Sequence, residues 1–224
     1  MAKGNRGGRG NRTLSTLKDG AVFNGDKIDF DGDLVYTKND GSLNKTQRPL
    51  VEAWETKRST NKVEYANAFG YQGSEYGEIR GGRNGVSTPA YYTANKGSVF
   101  THIHPRGNGE LGGTFSSTDI RTWSNGNGAT IRAVAKEGTY SITKGKNFNA
   151  RGLIQFATQM DYKYNGVMRK AKRSLDSQVR AGTISVKDAN KQLSKEFNNV
   201  LISMHNDFLN NQKNFGYNYY LEKR

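Results

Sequence analysis

The sequence contains no cysteine. Disulfide staples and thiolate metal sites are therefore excluded, and any metal must rest on histidine and carboxylate. Histidine and proline are both scarce, with three of each in 224 residues. No apolar run approaches membrane-spanning length, and the opening MAKGNRGGRGNR has no apolar signal-peptide segment. The expectation is a cytoplasmic or virion-associated protein with no membrane partner. Hydrophobic residues make up 33%, so the core is modest, although 10 Phe, 12 Tyr and 2 Trp supply large burial units. Acidic residues number 20 against 34 Lys and Arg, and the net charge of +14 favours polyanionic partners, either nucleic acid or an acidic protein surface.

What is present is unevenly distributed. Residues 1–13 carry Lys3, Arg6, Arg9 and Arg12, four glycines and no acid. Such a segment cannot offset its own ordering entropy and reads as a disordered basic tail, with Arg6, Arg9 and Arg12 as candidate phosphate contacts. Residues 14–149 read as a mixed α/β domain. A hairpin is expected over 20–43, with turns at Asp31-Gly32 and Asp40-Gly41. A helix over 47–58 follows, on Leu50, Val51 and Trp54, and then strands at 63–69 and 98–104. A hairpin over 129–144 turns at Glu137-Gly138. From Arg151 onward 13 basic residues stand against 6 acidic ones, a surplus of 7 and half the net charge. Here the pattern turns helical. A basic helix over about 166–181 carries Arg169, Lys170, Lys172 and Arg173. A second helix follows the Ser185–Asp188 capping box, with Ala189, Leu193, Phe197, Val200, Met204 and Phe208 as its stripe. The two are expected to form an antiparallel pair, with His205 a packing or surface residue.

Two of the three histidines, His102 and His104, lie two positions apart in FTHIHPRGNGELGGTFSSTD. On a strand such residues share a face, so both imidazoles can reach one ion. Pro105 ends the strand, a glycine-rich loop follows, and Ser116-x-x-Asp119 opens a helix. Taken apart, the pieces are a decorated strand and an ordinary cap. Together, His-x-His-Pro, a loop and Ser-x-x-Asp resemble the JAMM (MPN, RadC-like) metalloprotease family, on His102, His104, Pro105, Ser116 and Asp119. The resemblance implies a mixed β-sheet core with flanking helices (JAMM/cytidine-deaminase-like, in the α+β class), followed here by the C-terminal basic helical pair. It implies Zn2+ held by His102, His104 and Asp119, with Ser116 assisting at the oxyanion. It also implies an upstream glutamate as base; Glu64 fits best, ahead of Glu78, Glu55 and Glu52. The loop 106–114, with Arg106 and Glu110, would border a cleft for a protein or peptide substrate cleaved at a peptide or isopeptide bond. A weaker likeness to cupins uses Gly97, His102, His104 and Glu110. An alternative of another class is a non-enzymatic, nucleic-acid-associated or phage structural protein. Its contacts would be Arg6, Arg9 and Arg12 of the tail and Arg169, Lys170, Lys172 and Arg173 of the basic helix.

Overall fold

β-Branched and aromatic residues concentrate in VFTHI, TIRAV and TYSITK, and these segments form the middle of a six-stranded sheet. The computed structural model describes residues 34–37, 42–83, 85–105 and 111–223. In chain order the elements are α1 (Gln47–Arg58), β1 (Tyr65–Phe69), β2 (Ile79–Arg80), β3 (Val99–Ile103), α2 (Ser117–Ser124), β4 (Thr130–Val134) and β5 (Thr139–Lys144). The chain continues through α3 (Ala150–Arg180), α4 (Val186–Asn210), α5 (Gln212–Phe215) and β6 (Tyr217–Glu222). The strand order is β2-β1-β3-β4-β5-β6, with β3 and β4 parallel and every other pair antiparallel. This is the mixed sheet with flanking helices expected of an α+β chain. The expected hairpin over 20–43, its turns and the tail 1–13 lie largely or wholly outside the described residues.

Every residue of β3 and β4 is buried, as it must be when both faces of a sheet are covered. Val51 and Trp54 of α1 pack on Val99, Ile103 and Val134 on one face. On the other, Ile120 and Trp123 of α2, Leu153 and Ala157 of α3, and Phe208 of α4 join Phe100, Ile131 and Ile142. Leu50, expected on the inner stripe of α1, is exposed, and the buried positions are Gln47, Val51, Trp54 and Glu55.

The α1 face carries a fully buried ion pair. Glu55 accepts from Arg132 Nε at 2.7 Å and from Thr101 Oγ1 at 2.8 Å, and Arg132 reaches Glu222 at 3.4 Å. Removing one partner of such a pair leaves a charge stranded in low dielectric, which costs about 3–5 kcal/mol. Glu55→Ala is therefore expected to lower unfolding stability by about that amount in a urea titration; a change under about 1 kcal/mol would contradict the burial of this pair.

The helix expected over about 166–181 begins much earlier, at Ala150. Gly166 lies mid-helix, with open space where a side chain would project. Its cost of about 1 kcal/mol is outweighed by Leu153, Ala157, Met160, Tyr164 and Met168, which bury one face at three- and four-residue steps. The cap at Ser185 is as expected, and so is the α4 stripe except at Phe197, which is half-buried beside the fully buried Asn198. The segment after α4 departs from the expected helical pair. Gly216, at φ +67°, turns the chain, and Tyr217, Tyr219 and Leu221 alternate inward along β6, paired to β5. The C-terminal region thus adds a strand to the sheet as well as helices.

Candidate metal centre

The site is built where the C-terminal end of β3 meets the N-terminal end of α2. Alternation along β3 sends Thr101 toward α1 and His102 to the opposite face, where its ring stacks on Phe100 with centroids 5.4 Å apart. His104, two residues on, turns to the same side. The two Nε2 atoms stand 3.0 Å apart. The N-terminus of α2 delivers the carboxylate through its capping box. Ser116 Oγ accepts from Asp119 N and donates to Asp119 Oδ2 at 2.7 Å, and Ser116 N donates to the same oxygen at 2.8 Å. With Oδ2 held by the cap, Oδ1 points at His102 Nε2 from 3.7 Å.

The three ligand atoms lie within 4.8 Å of one another. A tetrahedral ion with bonds near 2.1 Å separates its ligand atoms by about 3.4 Å, and the observed 3.0 and 3.7 Å bracket that spacing. Ring chemistry favours the same reading. His104 Nδ1 faces two carbonyls, Gly112 O at 3.0 Å and Gly113 O at 2.9 Å, so its proton sits on Nδ1 and Nε2 offers a lone pair. Burial pulls His102 down to about 4, against the opposing pull of Asp119, so it is neutral at pH 7. Its Nδ1 makes no hydrogen bond of good geometry, the Arg132 backbone giving only a looser favourable contact. Burial works to raise the Asp119 carboxyl, but His102, His104 and the Ser116 hydrogen bonds more than offset it and hold it below its ordinary value. These residues could hold a metal ion; the donor set of two imidazoles and one carboxylate is not specific to zinc.

Glu64 stands just before β1. The antiparallel register that sets Ala66 opposite His102 puts Glu64 opposite His104 when continued by two residues. Burial raises its carboxyl to about 7, with His104 drawing it down in part and Asp119 adding to the rise. The fallback glutamates are engaged elsewhere. Glu78 accepts from Trp54 Nε1 at 2.7 Å and Arg58 Nε at 2.6 Å. Glu55 lies across the sheet with Arg132, and Glu52 pairs with Arg48 one helical turn away. Ser116 is at the site, but its hydroxyl proton is directed at Asp119.

The remaining sequence candidates lie apart. Arg169, Lys170 and Arg173 are exposed and Lys172 is half-buried, all in the second half of α3. Arg6, Arg9, Arg12, Arg106 and Glu110 are outside the described residues. Gly97 of the cupin-like pattern forms a left-handed turn at φ +76° beside Tyr71. His205 is buried in packing and shares a hydrogen bond with the Tyr219 hydroxyl at 3.0 Å.

Sequence reasoning missed the frame around the ligands. Ser117 N donates to Asp161 of α3 at 3.1 Å, Leu111 N to Asn198 of α4 at 2.9 Å, and the Tyr219 hydroxyl meets Thr114 at 3.0 Å. These partners lie 40 or more positions away, and spacing in a single sequence carries no signal for them. No helix among the described residues is long and apolar enough to cross a membrane. No protein-family model, curated protein or solved structure matches the chain.

Proposed function

We propose that this chain is a zinc-dependent hydrolase of the JAMM type, cleaving a peptide or isopeptide bond in a protein substrate. The observation that carries the reading is the convergence of His102 Nε2, His104 Nε2 and Asp119 Oδ1, with the half-buried Glu64 across the strand pair. Zinc held by these three groups would supply a Lewis acid and a water acidified toward neutrality. Glu64 is the proton acceptor, and its raised carboxyl matches the proton affinity that a base working near pH 7 needs. The same carboxylic acid then hands the proton to the departing amine. Ser116 orients Asp119 through the cap, and turning its hydroxyl proton outward would let it donate to a developing oxyanion.

The test is direct. Purified protein should hold about one zinc per chain, and hydrolysis of peptide and isopeptide-linked substrates should stop with chelator and return with zinc. A protein that takes up no zinc, or one whose hydrolysis ignores chelation, would overturn the proposal.

A separate observation favours a second, additional role. Exposed Tyr162 lies on the same helical face as exposed Arg169 and Arg173, with Lys170 beside them. An aromatic ring among cations suits single-stranded nucleic acid, where bases stack and phosphates pair. Reversing Arg169, Lys170 and Arg173 to Glu should weaken binding of an oligonucleotide. It should also reduce the slope of log K against log salt by about 0.7 for each phosphate no longer neutralised. An unchanged slope would remove this role.

A further inference from the structure

Glu137 occupies the turn between β4 and β5, where it is half-buried. Its Oε2 accepts from Gly112 N at 2.9 Å and its Oε1 from Gly113 N at 2.8 Å. The carbonyls of the same two glycines face His104 Nδ1. The single peptide group joining Gly112 to Gly113 therefore gives its N–H to the carboxylate and its C=O to the imidazole. We propose that Glu137 is a positioning residue that acts on His104 through this peptide, fixing the Nδ1–H tautomer and aiming Nε2 at the metal centre. Only the metal-affinity arm of its test rests on the zinc reading above.

Metal-bound imidazoles commonly give their second N–H to a carboxylate or carbonyl, which sets ring orientation and raises ligand basicity. Here both partners are present in series. A carboxylate on the N–H side polarises the peptide and makes its carbonyl a stronger acceptor. The Tyr140 hydroxyl steadies the carboxylate by donating to Oε1 at 2.7 Å. Packing leaves the peptide little room to move. A Cβ on Gly112 would lie 2.6 Å from Ala135 Cβ, and one on Gly113, at φ +80°, would lie 2.7 Å from Leu201 Cδ2 of α4. The two glycines are the residue type that fits between β4, α4 and the histidine.

The experiment uses the full chain and two readouts. Long-range 1H–15N correlation on zinc-stripped protein reports the His104 tautomer, and competition with a chromophoric chelator reports zinc affinity. The wild type should show the Nδ1–H tautomer. Glu137→Gln keeps the side-chain shape but loses the charge and one acceptor; it should show mixed tautomers and bind zinc about 10–100-fold more weakly. Leu201→Ala loosens the same loop by packing alone, so it should lower the unfolding midpoint and leave the tautomer unchanged. An Nε2–H tautomer in the wild type overturns the proposal, as does zinc affinity in Glu137→Gln within twofold of wild type. If the wild type itself takes up no zinc, the hydrolase reading fails while the tautomer still decides this one. If Glu137→Gln does not fold, Tyr140→Phe, which removes the hydroxyl steadying the carboxylate, is read in its place, and a tautomer and zinc affinity both unchanged from wild type overturn the proposal.

Discussion

Replacing Glu64 with Gln is expected to lower hydrolysis by about 10²–10⁴-fold, the usual contribution of a positioned general base, while zinc stays bound. The side chain keeps its shape and loses only its capacity to accept a proton, and Glu64 is not among the three converging ligand atoms. The pH profile carries the same information. Glu64 must be ionised to act, and burial lifts its carboxyl from about 4.5 to about 7, so the rate should rise with pH through that group's titration. A bound dication would move the rise to lower pH without changing its direction. The Gln variant should lose this limb altogether. Stability should move the opposite way. A carboxyl whose folded pKa is raised favours the native state while it is protonated, and that stabilisation is lost as pH climbs through about 7. Above that pH, metal-free Glu64→Gln should unfold at higher urea than metal-free wild type. Wild-type turnover by the Gln variant would remove Glu64 from the chemistry.

The second large effect is expected at Asp119. Asp119→Asn preserves a group that can accept from Ser116 at the start of α2, so the helix should survive. The anionic ligand disappears. Zinc affinity should fall by more than the roughly 100-fold seen when only an outer partner is removed. Titration with a chelator reads this, and near-wild-type affinity would mean that the carboxylate is not a ligand. Acid offers an independent check on the paired histidine. His102 and His205 are both buried and held down to about 4, chiefly by burial. Between about 6.5 and 4 the unfolded chain takes up protons that the folded chain refuses, so each of these histidines should withdraw roughly 3 kcal/mol across that window. Glu64 opposes part of this loss over 4.5 to 7. Metal-free protein should therefore lose stability on acidification below about 6.5. A flat profile would mean that His102 is hydrated.

Local chemistry made much of this arrangement legible beforehand. Alternation in VFTHI, the Ser116–Asp119 cap and the α4 stripe each depend on neighbours within a few residues, and periodicity reports such neighbours well. Glu64 could be chosen over Glu78 and Glu55 only weakly, because the choice rests on strand register and on which sheet face each residue occupies. The first half of α3 went unread because the burial of Leu153, Ala157, Met160 and Tyr164 that holds it is tertiary, and Gly166 adds a local penalty that this burial outweighs. Strand β6 carried a signal in Tyr217, Tyr219 and Leu221, but a short alternating run beside a long helical stripe is easily read as the helix's tail. The support from Glu137, Asn198 and Tyr219 joins distant segments and left no local trace.

Strand β6 also bears on when the centre comes into being. It pairs with β5 across the whole of α3, α4 and α5, and its Tyr219 reaches back to Thr114 in the loop behind His104. Pairings so remote in sequence close slowly, because the loop entropy must be met before they form. A chain emerging from the ribosome would carry His102, His104 and Asp119 long before it could brace them. Under the proposed hydrolase reading, competence would then be withheld until synthesis had passed β6, a delay that would spare the nascent chain's own unfolded segments.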